Sequence, residues 1–315
     1  MTFKLVKDHT SIDFLSPVRR RIAIAISIVA IGISLASFAT RGLDLGIDFT
    51  GGVLLEVGYP QPADLDLIRQ LLSAEGFEEV QVQRFGANTD VMVRLPPQEG
   101  ADPNAIRDQL RNALAADEPR VELRRVEFVG PQIGEELTEQ GGLAMLFALL
   151  MIFAYVMLRF QWKFAAGAVA ALIHDVIITI GFFSVFQFPF DLTVVAAVLA
   201  VVGYSLNDTV VAFDRIRENF LKLRGTTSES SMNTSLNDVL ARTIVTGMTT
   251  LLVLTALYIL GGESVESFSL ALIVGIIVGT YSSIYTASAT ALMLDVKPQD
   301  LLPPEEDQEL VDDLP

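Results

Sequence analysis

Six separate windows of the chain, residues 22–39, 143–158, 164–186, 192–213, 239–260 and 268–294, are apolar almost without interruption. A helix rises 1.5 Å per residue, so about 20 such residues cross a hydrocarbon layer roughly 30 Å thick. A helix also satisfies its own backbone N–H and C=O groups, which lipid does not do. Six membrane-spanning helices are therefore the expected frame. Composition agrees, since 51% of the 315 residues are hydrophobic and only 19% are charged.

The first window follows Arg19, Arg20 and Arg21, as the apolar part of a cleavable signal would. It is longer than such a part and reads as a retained span. Lys4, Lys7 and the three arginines precede span 1, Arg159 and Lys163 lie between spans 2 and 3, and Arg215, Arg217, Lys222 and Arg224 between spans 4 and 5. The short loops near Pro189 and over 261–266 carry no Lys or Arg. Cations stay on the cytoplasmic side, so both termini are expected there and the long segment after span 1 outside. The net charge of −16 argues against nucleic acid as a partner. With no cysteine there is no disulfide or thiolate chemistry, and no metal or cofactor is expected.

Within residues 42–138 the hydrophobic period keeps changing, which marks a small folded domain. Residues 51–59 read as a strand, 64–77 as an amphipathic helix, and 79–85 and 90–96 as a hairpin across GANT. Residues 102–117 read as a helix with Asp102 as N-cap and Pro103 first, and 120–130 as a last strand. That βαββαβ order is the split ferredoxin-like arrangement. The expected layout is a cytoplasmic segment 1–21, span 1 over 22–40, the outer α+β domain over 41–138, spans 2–6 over 139–294 and an acidic tail over 295–315.

Charge inside a span is costly, about 2.5–3.5 kcal/mol for an Asp at a helix centre, and such residues usually face the bundle interior. Asp208 lies seven residues before Arg215, about 10 Å into the layer, and Arg242 lies one turn beyond Asp238, about 6 Å in. Spans 4 and 5 run in opposite directions, so an Asp208–Arg242 ion pair is expected. Tyr204, Ser205, Asn207 and Thr209 supply polar company, and Thr246 stands one turn past Arg242. His174 and Asp175 fall about 16 Å along span 3, where chains of such groups relay protons. Blander roles stand beside these. Arg242 can snorkel to headgroups, Asp175 can cap a neighbouring helix, and the hydroxyl and glycine residues of spans 5 and 6, GIIVG included, can serve packing alone. No GxGD, GxSxG, HExxH or GxxxxGK[ST] is present, so an intramembrane enzyme or a nucleotide-driven pump is not expected.

GLDLGIDFTGG (42–52), VEFVGPQIGEEL (126–137), ALIHDVIITIGFF (171–183), VVGYSLNDTVVAFDRIRENF (201–220) and SLNDVLARTIVTGMTTLL (235–252) together resemble the SecF branch of the SecD/SecF family, in the resistance-nodulation-division superfamily. The resemblance runs over about residues 12–298. It implies a multi-pass protein of the bacterial inner membrane with a periplasmic domain between its first two helices. It also implies work beside SecD and the SecY, SecE and SecG channel, with YidC as a further neighbour, on unfolded preproteins, driven by the proton-motive force. In that family the Asp of GYSxND and the Arg of LxRT are tied to proton passage, and they fall on Asp208 and Arg242. Moving one charge through 100 mV is worth about 2.3 kcal/mol, enough to bias two helix arrangements that differ in their hold on a proton. Gly46, Gly51, Gly52, Gly130 and Gly134 mark tight turns or hinges where the outer domain joins spans 1 and 2. The competing reading is a proton-coupled exporter of small molecules or lipids from the same superfamily, which would carry two such halves in one chain.

Overall fold

In the computed structural model the described residues are 11–77, 80–97, 102–223, 225–262 and 265–298. Lys4, Lys7, Arg224, the start of the strand expected at 79, part of the 261–266 loop and the acidic tail from residue 299 onward lie outside them. Along the chain the elements are α1 (Pro17–Arg41), β1 (Asp44–Leu45), α2 (Ile47–Thr50), β2 (Gly52–Gly58), α3 (Leu65–Ala74), β3 (Gln81–Phe85), β4 (Ala87–Leu95), α4 (Pro103–Asp117) and β5 (Glu122–Val129). There follow α5 (Pro131–Arg159), α6 (Trp162–Phe186), β6 (Pro189–Phe190), α7 (Leu192–Lys222), α8 (Ser228–Leu260), α9 (Glu266–Ser282), a π-turn segment Ser283–Ala287 and α10 (Ser288–Met293). They form two compact units. One holds residues to Gly42, Phe147–Phe186 and Ala196 onward, and the other holds Leu43–Leu146 and Gln187–Val195.

Among the described residues, six helical stretches are long and apolar enough to cross a membrane. Their ends follow local chemistry. Pro17 begins α1, where its missing N–H removes a donor that would have no partner, and Gly42 (φ 68°) ends it by bonding back to the Phe38 carbonyl at 3.1 Å. Thr227 caps α8 by accepting from Ser230 N–H. Several helices begin earlier or run longer than their apolar windows, because polar turns beyond the window continue the helix. The second begins at Pro131, twelve residues before the window at 143.

The helical unit packs around Phe164, Phe213, Ile216 and Met232, all fully buried, with Phe213 edge-on to Phe164 at 5.0 Å and 61°. Small residues set the helix spacing. A Cβ on Gly275 of α9 would stand 2.1 Å from Val201 of α7, and one on Gly181 of α6 would stand 2.1 Å from the Ser34 hydroxyl of α1. By contrast α5 turns Phe147, Met151 and Leu158 outward, as a lipid-facing or partner-facing helix does.

The α+β unit runs β2-α3-β3-β4-α4-β5, with the antiparallel sheet ordered β3-β4-β2-β5. Alternation puts Val53, Leu55 and Val57 of β2 and Val91, Val93 and Leu95 of β4 on one face. Ile68 and Leu72 of α3 and Leu110 and Leu114 of α4 cover that face to make the core. Asp64 and Asp102 cap α3 and α4 by accepting backbone N–H bonds. The β3–β4 turn is tighter than a GANT loop, since Gly86 (φ 69°) takes the corner and Ala87 already belongs to β4. A second, two-stranded parallel sheet pairs β1 with β6, fixed by Gly46 N–H to Phe190 O at 2.8 Å and Leu192 N–H to Asp48 Oδ2 at 3.0 Å.

Candidate functional site

Arg215 of α7 pairs with Asp238 of α8, Nε to Oδ2 at 2.8 Å, and Asn219 Nδ2 reaches the same oxygen at 2.9 Å. This clamp sets the register of the two helices. Counting inward from it, Asp208 stands about 10 Å along α7 and Arg242 about 6 Å along α8. Among the described residues no N–O contact within 4.0 Å joins them. The expected contact pair is therefore not closed. Asp208 is 6% exposed and its Oδ2 has no hydrogen-bond donor among the described residues, whereas Arg242 faces outward.

The polar residues around Asp208 divide between interior and surface. Thr209 is buried with an unpartnered hydroxyl, Tyr204 turns its hydroxyl toward Gly247 of α8, and Asn207 faces outward. Thr246 is exposed and returns its hydroxyl to the Arg242 carbonyl at 2.9 Å, and Thr249 does the same to Val245. Such back-bonding satisfies these two hydroxyls within their own helix.

His174 and Asp175 form a separate and fully joined cluster. His174 Nδ1 lies 2.9 Å from Asp175 Oδ1, and its Nε2 lies 3.1 Å from Ser27 Oγ of α1. Asp175 Oδ2 accepts from Ser205 of α7 and, at 2.7 Å, from Ser282 of α9. Tyr281 stacks on the His174 ring, centroids 6.1 Å apart, and donates to the Ala23 carbonyl at 2.7 Å. Gly279 admits this approach, since a Cβ there would stand 3.0 Å from Ser205 Cβ. Four helices thus meet at the His174–Asp175 pair. Ser205, expected beside Asp208, instead serves Asp175. The sequence reading did not single out Ser27 or Tyr281. For Ser27 the signal was present in α1, where Ala23, Ser27 and Ser34 recur on one side as small residues of a close-packed face; Tyr281 had none.

The junction glycines come together in the α+β unit. A Cβ on Gly134 of α5 would stand 2.8 Å from the Gly51 nitrogen, and Thr138 bonds back to the Gly134 carbonyl at 2.8 Å. Gly51 (φ 68°) and Gly52 (φ 119°) take conformations that suit glycine. Gly46 joins β1 to α2, and Gly130 accepts the N–H groups of Ile133 and Gly134 as α5 begins. Among the described residues no group of three His, Cys, Asp or Glu is placed to hold a metal.

Residues 109–297 match the family described as "Protein export membrane protein SecD/SecF, C-terminal", and residues 36–63 match the "SecD/SecF GG Motif". The chain belongs to the SecD/SecF family. It is 48% identical to the protein translocase subunit SecF of Vibrio alginolyticus over 98% of this chain and 97% of that one. It is 49% identical to the protein translocase subunit SecF of Pseudomonas aeruginosa over 94% and 96%. A crystal structure of SecDF from Thermus thermophilus, titled a translocon-associated membrane protein, superposes with a TM-score of 0.83 at 35% identity. It covers 92% of this chain, which spans only 40% of that SecDF chain. Six apolar helices and this family membership make the chain a multi-pass protein of the bacterial inner membrane.

Proposed function

We propose that the chain is an auxiliary subunit of the Sec protein translocase that works with SecD and uses the proton-motive force to promote late steps of preprotein export. The names of its relatives support the translocase role, and SecDF is known as a translocon-associated protein. The partners in this reading are SecD, the SecY, SecE and SecG channel, YidC and the unfolded preprotein. No catalytic step is assigned. In this reading both termini are cytoplasmic and residues 41–138 form a periplasmic ferredoxin-like domain. Residues 139–294 form spans 2–6, and the acidic tail is cytoplasmic.

One observation carries the coupling role. Asp208 is buried with an unpaired oxygen, while Arg242 and Asn207 are exposed within spans. Lipid is a poor neighbour for an exposed guanidinium at that depth, so this face calls for a second helical half. That half is SecD in our reading. The arrangement of α7 against α8 sets how near Arg242 comes to Asp208, and in this reading that arrangement is coupled to proton passage. The exporter reading is not favoured, because the relatives are named protein translocase subunits.

The test is proton flux and preprotein export in vesicles holding this chain with SecD and the channel. Asp208→Asn is expected to abolish flux and reduce export to the level without this chain. Wild-type values for both would remove Asp208 from the mechanism.

A further inference from the structure

In the α+β unit a cavity of about 210 Å³ opens between the GG turn and the ends of β3 and β4. Its walls include Ile47, Gly51, Leu95 and Pro97; Thr50 also lines it but spends its hydroxyl on the Gly46 and Gly51 carbonyls, which leaves Gln81 and Arg94 as the polar side chains open to a ligand. Arg94 is 8% exposed. Its Nη1 donates to Asp44 Oδ1 at 2.8 Å, but its Nε is buried with no acceptor among the described residues. A guanidinium is a donor only, and a buried donor without an acceptor costs about 1–3 kcal/mol, so the site is built short of one oxygen.

The neighbours say which oxygen. Asp44 already balances the Arg94 charge, so a neutral acceptor suffices. Gln81 stands exposed, and its amide offers both a donor and an acceptor, the complement of a peptide unit. The apolar walls suit a short side chain beside it. The geometry points to a binding pocket for an unfolded polypeptide, in which Arg94 Nε takes an oxygen of the chain and Gln81 pairs with the adjoining peptide group. This rests on the proposal that the chain handles unfolded preproteins, and it gives the GG turn a task. Gly52, at φ 119° with Leu95 O 2.2 Å from where a Cβ would stand, lets the turn press against β4 and wall the pocket.

The oxygen can come from the main chain or from a side-chain carboxylate, and two probes separate them. One is a fluorescent unstructured peptide of Ser, Gln and Leu with an amidated end; the other carries Glu in place of Gln. Binding is measured by anisotropy to the full chain with SecD in nanodiscs. Arg94→Lys and Gln81→Trp are expected to weaken binding about tenfold or more, the loss of one charge-assisted hydrogen bond or of the space for the ligand. Equal binding of the two probes assigns the oxygen to the main chain, and tighter binding of the Glu peptide assigns it to a carboxylate. Gln81→Trp alters an exposed position and keeps the fold, which thermal melting verifies. Wild-type affinity in Gln81→Trp, or no binding of either probe to the unaltered protein, overturns the pocket. Proton flux is read in parallel vesicles, so intact flux without peptide binding sinks the pocket and spares the coupling role.

Discussion

His174 Nδ1 and Asp175 Oδ1 lie 2.9 Å apart although the two residues are consecutive on α6. The pair turns inward together because its other partners come from three different helices: Ser27 of α1, Ser205 of α7 and Ser282 of α9.

That convergence predicts how the helical unit loses stability. Ser282→Ala should cost about 0.6–1.7 kcal/mol, the range for hydrogen bonds between membrane helices. Asp175→Leu should cost more, since it leaves Ser205, Ser282 and His174 without their acceptor. Reversible unfolding in mixed micelles measures both. The Ser205→Ala and Ser282→Ala effects should be non-additive, because both hydroxyls serve one oxygen.

Close approach of α7 and α9 makes a size-rescue test. Gly275→Ala places a methyl group 2.1 Å from Val201 and should destabilise by about 1–3 kcal/mol. Val201→Ala in the same chain should recover most of the loss, measured by melting temperature in detergent. No recovery would mean that Gly275 matters for a reason other than spacing.

Two glycines of the α+β unit should respond unequally. Gly52→Ala meets both a left-handed φ of 119° and the Leu95 carbonyl, and should cost about 3 kcal/mol. Gly76→Ala has a φ of 91° but open space around it, and should cost only about 1–2 kcal/mol of backbone strain. Protease resistance of the α+β unit in the full chain ranks the two.

Tyr59 adds a pH dependence. Burial first, and the Asp117 carboxylate second, push its hydroxyl from 10.0 to about 12. The folded form holds the proton more tightly than the unfolded form, so the contribution is intact below about pH 10 and is lost as pH climbs toward 12. Melting of the α+β unit between pH 9 and pH 11.5 should fall less steeply in Tyr59→Phe than in the unaltered chain.

Much of this was legible in the chain itself. Six apolar windows carry a solvent-scale signal that packing does not override, and the alternation of β2 and β4 is decided by which face the helices cover. Helix starts were less legible, because the polar turns ahead of residue 143 look like loop until α5 is seen to begin at Pro131 against the GG turn. The site divided the same way. A carboxylate in a span announces its cost, so Asp208, Asp175 and Arg242 stand out. Which acid Ser205 serves, and that Arg242 stops short of Asp208, depend on helix rotation, and small-residue periodicity constrains rotation only loosely. The Asp44–Arg94 bond joins residues 50 apart and has no local signature at all.

Residues 187–195, which hold β6 and the first turn of α7, belong to the α+β unit, where β6 pairs with β1. The backbone therefore passes between the units at 42/43, 146/147, 186/187 and 195/196, four crossings rather than two. The second pair of crossings leads directly into α6 and α7, the helices that bear His174, Asp175 and Asp208. The second pair thus ties the sheet-bearing unit, by covalent bonds alone, to the two helices that carry the buried acids.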